Sequence, residues 1–312
     1  MRVLLIGGGG LIGSSLESLL FDEGHKTLVL DKFTQSNVVQ KDIKGESITG
    51  DACSFSTMNR VFSFFKPEAV FHLAGSLYDK EGVYDFQQES ITSILIANNI
   101  SKCIKLHGAK YVFFGSSGDV YLSKTKRPIS EEILVGSVSY SGTTNLYVED
   151  MFRLAASSYK YEFTALRFFQ VTGNRKFLNP RHDVASFFVD SILKDEGIIL
   201  VGPKTYIDIL NVTDAVKASY IVFSKVVSGT TIKSVNIGSG KGVTLYDLFS
   251  MVSLRVNGNK TRVYKYPPAK QTHSLVANNE FLKSLGWKYK GSLENELDKL
   301  VEFRTRLING SL

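Results

Sequence analysis

Residues 7–10 are four consecutive glycines, placed directly after the apolar run Val3–Ile6. Glycine buries no side chain and tolerates backbone conformations closed to other residues, so such a run ends one element and prepares the start of another. Leu11, Leu16, Leu19 and Leu20 then fall among the apolar positions of a helix, and Gly24 stands where that helix should end. A strand apolar on both faces, a glycine turn and a helix make the opening of a βα unit.

The same alternation continues. Strands are expected at Thr27–Leu30, Ser47–Thr49, Ala69–Leu73, Tyr111–Phe114 and Phe163–Phe168. Helices are expected at Phe55–Phe65, stopped by Pro67, at Phe86–Leu106, and from about Thr143 to Tyr159. Repeated βα units with apolar strands predict an α/β chain with a doubly wound parallel sheet and helices on both faces. Past Gly173 the pattern loosens. Helices are expected at Ala185–Leu193, Asp214–Ser224, Leu245–Val252, Glu280–Leu285 and Leu293–Leu307, with short strands at Ile198–Val201, Asp208–Leu210 and Ser234–Ile237. The expected division is a first domain over residues 1–169, with 206–237 returning to it. A smaller mixed α/β C-terminal substrate lobe is expected from 170–205 and 238–312.

The chain has 312 residues, 43% hydrophobic and 21% charged, which suits globular folding rather than disorder. The formal net charge of +7 fits either a generic basic surface or attraction for an anionic ligand. No block of like charge suggests a nucleic-acid tail, and no apolar run reaches membrane-spanning length. Cys53 and Cys103 form no metal-like set with the five histidines, so no metal site is expected. The two cysteines and the absence of a leader before Met1 point to a reducing, cytoplasmic setting.

Gly7, Gly10 and Gly13 give the spacing GxxGxxG between strand and helix. That placement lets a pyrophosphate approach the backbone at the positive end of the following helix. Asp31 stands 18 residues beyond Gly13 at the end of the second strand. A carboxylate there accepts from ribose hydroxyls and repels a 2′-phosphate, which favours NAD over NADP. Lys32, directly after it, pulls the other way.

The order of these and later motifs resembles the extended short-chain dehydrogenase/reductase family, whose members act on nucleotide sugars. IGGGGLIG is similar to its TGGxGFIG, and includes Leu11 and Ile12. Asp51, followed by Ala52, matches the acid after the third strand. His72-Leu73-Ala74-Gly75 is similar to HLAA, and Ser116-Ser117-Gly118-Asp119-Val120-Tyr121 to SSxxVYG. Leu166-Arg167-Phe168-Phe169-Gln170-Val171-Thr172-Gly173 resembles LRYFNVYG. Val235-Asn236-Ile237-Gly238-Ser239-Gly240 resembles YNVGSG, and Leu285-Gly286-Trp287 with Ser292-Leu293-Glu294 the usual ending. The resemblance implies a Rossmann-like NAD-binding domain and a nucleoside-diphosphate sugar as substrate. It implies a homodimer formed through the two long helices.

The resemblance also implies a serine that positions the sugar hydroxyl, which Ser117 matches, with Gly118 and Asp119 beside it. It implies a general-base Tyr four residues before a Lys, and here the chain departs. If Tyr140 is the base, the Lys position holds Thr144. If the helix is aligned on Glu149, Ser141 and Asn145 take the two positions. An unassisted phenol, with a pKa of about 10, is a poor base at neutral pH. Ile207 replaces an Arg that grips phosphate in many members, leaving Arg175, Arg181 and Lys270 as substitutes. Gln170 replaces an Asn, and Ser90 stands where the long helix often has one. Tyr121 and Tyr147 read as packing residues. Two readings follow: an NAD-dependent nucleotide-sugar enzyme with altered acid–base groups, or a silent relative that binds the same ligands as a subunit or sensor.

Overall fold

The computed structural model describes residues 1–34, 39–75, 86–122, 128–137, 139–173, 183–258, 263–265 and 274–310. Arg175, Arg181 and Lys270 lie outside them.

The main sheet has seven strands: β1 (Arg2–Ile6), β2 (Lys26–Asp31), β3 (Glu46–Thr49), β4 (Ala69–His72), β5 (Tyr111–Ser117), β6 (Glu162–Phe168) and β10 (Ser234–Ile237). Their order is β10-β6-β5-β4-β1-β2-β3, and every neighbouring pair is parallel. Alternate side chains of β1 serve opposite faces. Val3 and Leu5 join a core with Leu16 and Leu20 of α1 (Leu11–Asp22) and Val222 and Phe223 of α6 (Val212–Val227). Leu4 and Ile6 join a core with Met58 and Phe62 of α2 (Phe55–Phe65), Ile100 of α3 (Phe86–His107) and Phe152 of α4 (Tyr140–Tyr159). The doubly wound α/β expectation is therefore met: the sheet is covered by helices on both faces.

A second body of structure sits at the end of the sheet. Helices α5 (Val184–Leu193), α7 (Leu245–Asn257) and α9 (Leu293–Ile308) enclose a separate core containing Phe188, Val189, Leu248, Val252, Leu297 and Leu300. Arg304 on α9 is paired with Asp190 on α5, both buried. Two small sheets complete it. β7 (Gln170–Thr172) and β11 (Gly242–Thr244) flank β9 (Tyr206–Asn211), and β8 (Ile198–Ile199) pairs with β12 (Val263–Lys265). Residues 206–211 thus belong to a small sheet, whereas α6 and β10 return to the large one. A short helix, α8 (Glu280–Ser284), places Trp287 against the main core, where its indole N–H donates to the Asp214 carbonyl at 3.2 Å. Among the described residues no helix is long and apolar enough to cross a membrane.

Candidate active site

Two adjoining clefts open at the carboxyl ends of the parallel strands, where ligands bind in open α/β sheets. The outer cleft is bounded by the glycine loop, Asp31, Lys32, Asp51, Ala52, Ala74 and, from α3, Gln88 and Thr92. The inner cleft is bounded by Leu11, Ile12, Gly13, Ser116, Ser117, Gln170 and Asp183, with Gly7, Gly10, Leu73 and Gly75 common to both. All thirteen residues assigned to the cofactor from sequence line one cleft or the other.

The glycine loop is built for close approach. Gly7 has φ +82, and a Cβ there would lie 2.5 Å from the Ala74 backbone, so both the conformation and the space require glycine. A Cβ at Gly13 would lie 2.5 Å from the Gly7 carbonyl oxygen. Gly10 is the N-cap of α1 with no side-chain cap, and the first turn holds no acid. The first amides of this 12-residue helix therefore keep their donors and positive dipole end for something outside the helix. A diphosphate fits that cradle, and the adjoining carboxylates fit a ribose.

Asp31 is fixed at the lip of the outer cleft. Its Oδ2 accepts from the Gly9 N–H at 2.9 Å and its Oδ1 from the Phe33 N–H at 2.8 Å. Lys32, which by sequence opposed an NAD preference, is turned to Asp51: Nζ lies 2.9 Å from Oδ2. Burial works against ionisation of Asp51, but the bonds from Lys32 and the Cys53 N–H outweigh it and hold the carboxyl below its usual range. Asn99 on α3 secures this edge from below, donating to the carbonyls of Ala52 and Cys53 at 3.0 and 2.9 Å.

At the inner cleft, β5 runs three residues beyond the expected Phe114, pairing Gly115, Ser116 and Ser117 with Leu166, Arg167 and Phe168. This delivers both serines to the cleft. Ser116 donates to Glu149 Oε1 at 2.6 Å, and Ser117 Oγ accepts from the Asp119 N–H at 3.1 Å. Gly118 and Asp119 stand behind the cleft rather than on it. Gly118 packs on the Phe169 ring, and the Asp119 carbonyl meets Gly142. Exposed Gln170 and partly buried Val171 continue the wall.

The two remaining residues assigned to catalysis, Tyr140 and Thr144, fall on α4, whose phase sets where each one points. The helix starts at Tyr140, three residues before the expected position, with Ser139 capping it through Gly142 N–H. Tyr140 is 63% exposed and shares an outward stripe with Tyr147 and Leu154 at seven-residue spacing. Thr144 is buried and bonded to Ser90 on α3 at 2.6 Å, which ties the two long helices together. Neither residue lines a cleft. Asn145 and Ser141 instead lie one and two turns before Glu149, on the stripe that reaches Ser116.

Sequence reasoning missed the polar cluster under the inner cleft. Arg167 donates to Glu149 through Nε at 3.1 Å and Nη2 at 2.8 Å, and through Nη1 to the Tyr121 hydroxyl at 2.9 Å. Tyr121 in turn donates to Asn236 Oδ1 at 2.7 Å. Tyr121 is therefore a polar link, not only a packing residue. Its hydroxyl is pushed up to about 12, by burial first and despite Arg167. The available signal was Arg167 itself, a charge in the middle of the otherwise apolar strand segment ALRFF.

A family model described as "NAD dependent epimerase/dehydratase family" matches residues 3–238. The chain belongs to this family. The resemblance to extended short-chain dehydrogenases, the enzyme assignment and NAD as cofactor stand with it. A protein from Methanocaldococcus jannaschii named putative UDP-glucose 4-epimerase is 24% identical over 303 residues, covering 96% of this chain and 97% of its own. A UDP-glucose 4-epimerase from Thermotoga maritima, solved with UDP-glucose, aligns with TM-score 0.87 and 26% identity over 99% of this chain and 100% of its own. The fold is also that of the Thermus thermophilus UDP-glucose 4-epimerase solved with NAD, at TM-score 0.85 and 23% identity over 97% of this chain and 99% of that one.

Proposed function

We propose that this family member is an NAD-dependent 4-epimerase-type enzyme acting on a UDP-sugar, with acid–base groups that differ from the Tyr/Lys pair. The observation that carries this reading is the continuous lining from the Asp31 carboxylate, past the uncapped start of α1, to the hydroxyls of Ser116 and Ser117. NAD supplies a hydride acceptor and donor when bound. Gly7, Gly10 and the first amides of α1 would hold its diphosphate, with Asp31 on the adenosine ribose.

The chain's own contribution is orientation. Ser117, which lines the inner cleft, would bond the sugar hydroxyl whose carbon is oxidised. Ser116 is locked by Glu149 and cannot turn toward the ligand without losing a 2.6 Å bond. With Tyr140 on the outer face of α4, the proton of the reacting hydroxyl would pass to water or to a neutral group near Ser117. General acid–base help is typically worth 10²–10⁴-fold, so turnover slower by part of that factor is expected. The lobe built on α5, α7 and α9 would hold the nucleotide sugar.

The outward stripe of Tyr140, Tyr147 and Leu154, beside Ile91 and Leu95 of α3, supports a homodimer formed through these helices. Leu154→Glu should then convert a dimer to a monomer on a sizing column with light scattering.

The function is tested by incubating NAD-loaded protein with UDP-glucose and with UDP-N-acetylglucosamine and resolving the products by chromatography. Appearance of the 4-epimer supports the reading. Tight binding of NAD and a UDP-sugar without any epimer or reduced nicotinamide favours the silent relative.

A further inference from the structure

The wall of the inner cleft formed by β7 and α5 carries one carboxylate, Asp183. It is the only ionisable side chain among the described residues that line this cleft; the others are glycine, serine, glutamine and apolar residues. Asp183 is 6% exposed. Its Oδ2 accepts from the hydroxyls of Thr172 at 2.5 Å and Ser186 at 2.8 Å, and its Oδ1 accepts from the Ala185 N–H at 3.1 Å.

Hydrogen bonds satisfy the group but do not neutralise it. Two other buried acids, Glu149 and Asp190, are each matched by an arginine. Asp183 forms no ion pair among the described residues. Its role as N-cap of α5 does not explain the charge either, since Asn and Ser cap about as well. Glu17 and Asp208 are buried and held by hydrogen bonds alone as well, but neither lines the clefts, whereas Asp183 keeps its charge on the wall of one, where a ligand meets it. Burial raises the pKa of the carboxyl despite its donors, while the start of α5 favours the ionised form.

We propose that Asp183 sets the charge selectivity of the inner cleft, accepting a sugar that presents a hydroxyl or amino group toward α5 and rejecting one that presents a carboxylate. A largely buried carboxylate on a cleft wall gains from a donor and repels a like charge. This inference rests on the nucleotide-sugar reading above.

The test is calorimetric titration of NAD-loaded protein with UDP-glucose and UDP-glucuronate at pH 8.5, for the wild type, Asp183→Asn and Asp183→Ser. Both substitutions keep an N-cap, so one well-folded variant is sufficient. The wild type should prefer UDP-glucose by about tenfold or more, on the scale of like-charge repulsion. Each variant should lose most of that preference by gaining affinity for UDP-glucuronate. An unchanged ratio overturns the inference alone. So does an equal gain for both ligands, since that would turn the carboxylate toward their shared diphosphate. A wild type that binds neither UDP-sugar removes the nucleotide-sugar reading, and the selectivity with it.

Discussion

Arg167 on β6 holds Glu149 on α4 through two hydrogen bonds, and neither side chain is more than 5% exposed. The pair joins the strand that follows the active-site helix to the helix itself, and Ser116 hangs from the same carboxylate. Removing one member of a buried pair leaves the other uncompensated, at a cost of about 3–5 kcal/mol. Glu149→Leu should therefore lower the denaturant midpoint substantially. Glu149→Leu combined with Arg167→Met should recover a large part of the loss. If the double variant is as unstable as the sum of the singles, the cost lies in packing rather than in the orphaned charge.

His72 gives a pH signature. The ring is fully buried between Phe114 and Phe152, and neither nitrogen finds a hydrogen-bond partner among the described residues. Burial depresses its pKa from 6.5 to about 4. The unfolded chain thus takes up a proton at a higher pH than the folded one. The contribution of His72 to stability is complete above pH 6.5 and is lost as pH falls toward about 4, by roughly 3 kcal/mol in all. His72→Phe should flatten the stability curve in that window. A curve that keeps the same slope would assign the pH dependence to other groups.

Cofactor choice should depend on Asp51 as well as Asp31. Asp31→Ala should weaken NAD by about tenfold, since hydrogen bonds to a charged group are worth about 1.5–3 kcal/mol. Asp51→Asn takes the charge partner from Lys32 and leaves that ammonium beside the ribose site. The affinity ratio of NADP to NAD, read by fluorescence titration, should then rise. A ratio equal to that of the wild type would show that Lys32 plays no part in the choice.

The two hydroxyls first assigned to catalysis from the sequence, Ser117 and Tyr140, should behave differently. Ser117→Ala should reduce turnover by about tenfold or more, within the range of acid–base and orientation effects. Tyr140→Phe should leave kcat within about twofold, because the phenol lies on the outer stripe of α4. A large loss in the tyrosine variant would return Tyr140 to the chemistry.

Much of the fold was legible because the central strands of the main sheet, such as β1 and β4, are largely apolar and its helices are punctuated. Helix Phe55–Phe65 and strand Ser234–Ile237 were read with the same bounds that the structure has. The strands β7 and β11 were not read, since three residues offer no alternation to detect. Strand β5 was cut short because Gly115, Ser116 and Ser117 look like a loop until β6 is seen to pair with them. Gly7, Gly10, Gly13 and Asp31 depend on local spacing along one βαβ unit, so they could be read, whereas Asp51 came from the family resemblance. Glu149, Arg167, Tyr121 and Asn236 come from four separate segments, and Asp183 meets Thr172 across eleven positions. No local pattern announces such meetings. The phase of α4 turned on a single cap, Ser139, and a shift of one residue there decides whether Tyr140 or Ser141 faces inward.

The place of β10 at the edge of the main sheet affects how the protein is made. Synthesis runs from the amino end, and six of the seven parallel strands are complete once residue 168 has been added. The outer edge of β6 then waits for residues 234–237, and α6, which covers the adjoining face, arrives only just before them. Through that interval a nascent chain presents an unpaired strand edge and bare apolar surface, the features that invite pairing with neighbouring chains. A stalled or truncated product ending between residues 170 and 230 should therefore aggregate rather than behave as a smaller soluble domain. The boundary suited to dissecting this protein is not the one between its two cores.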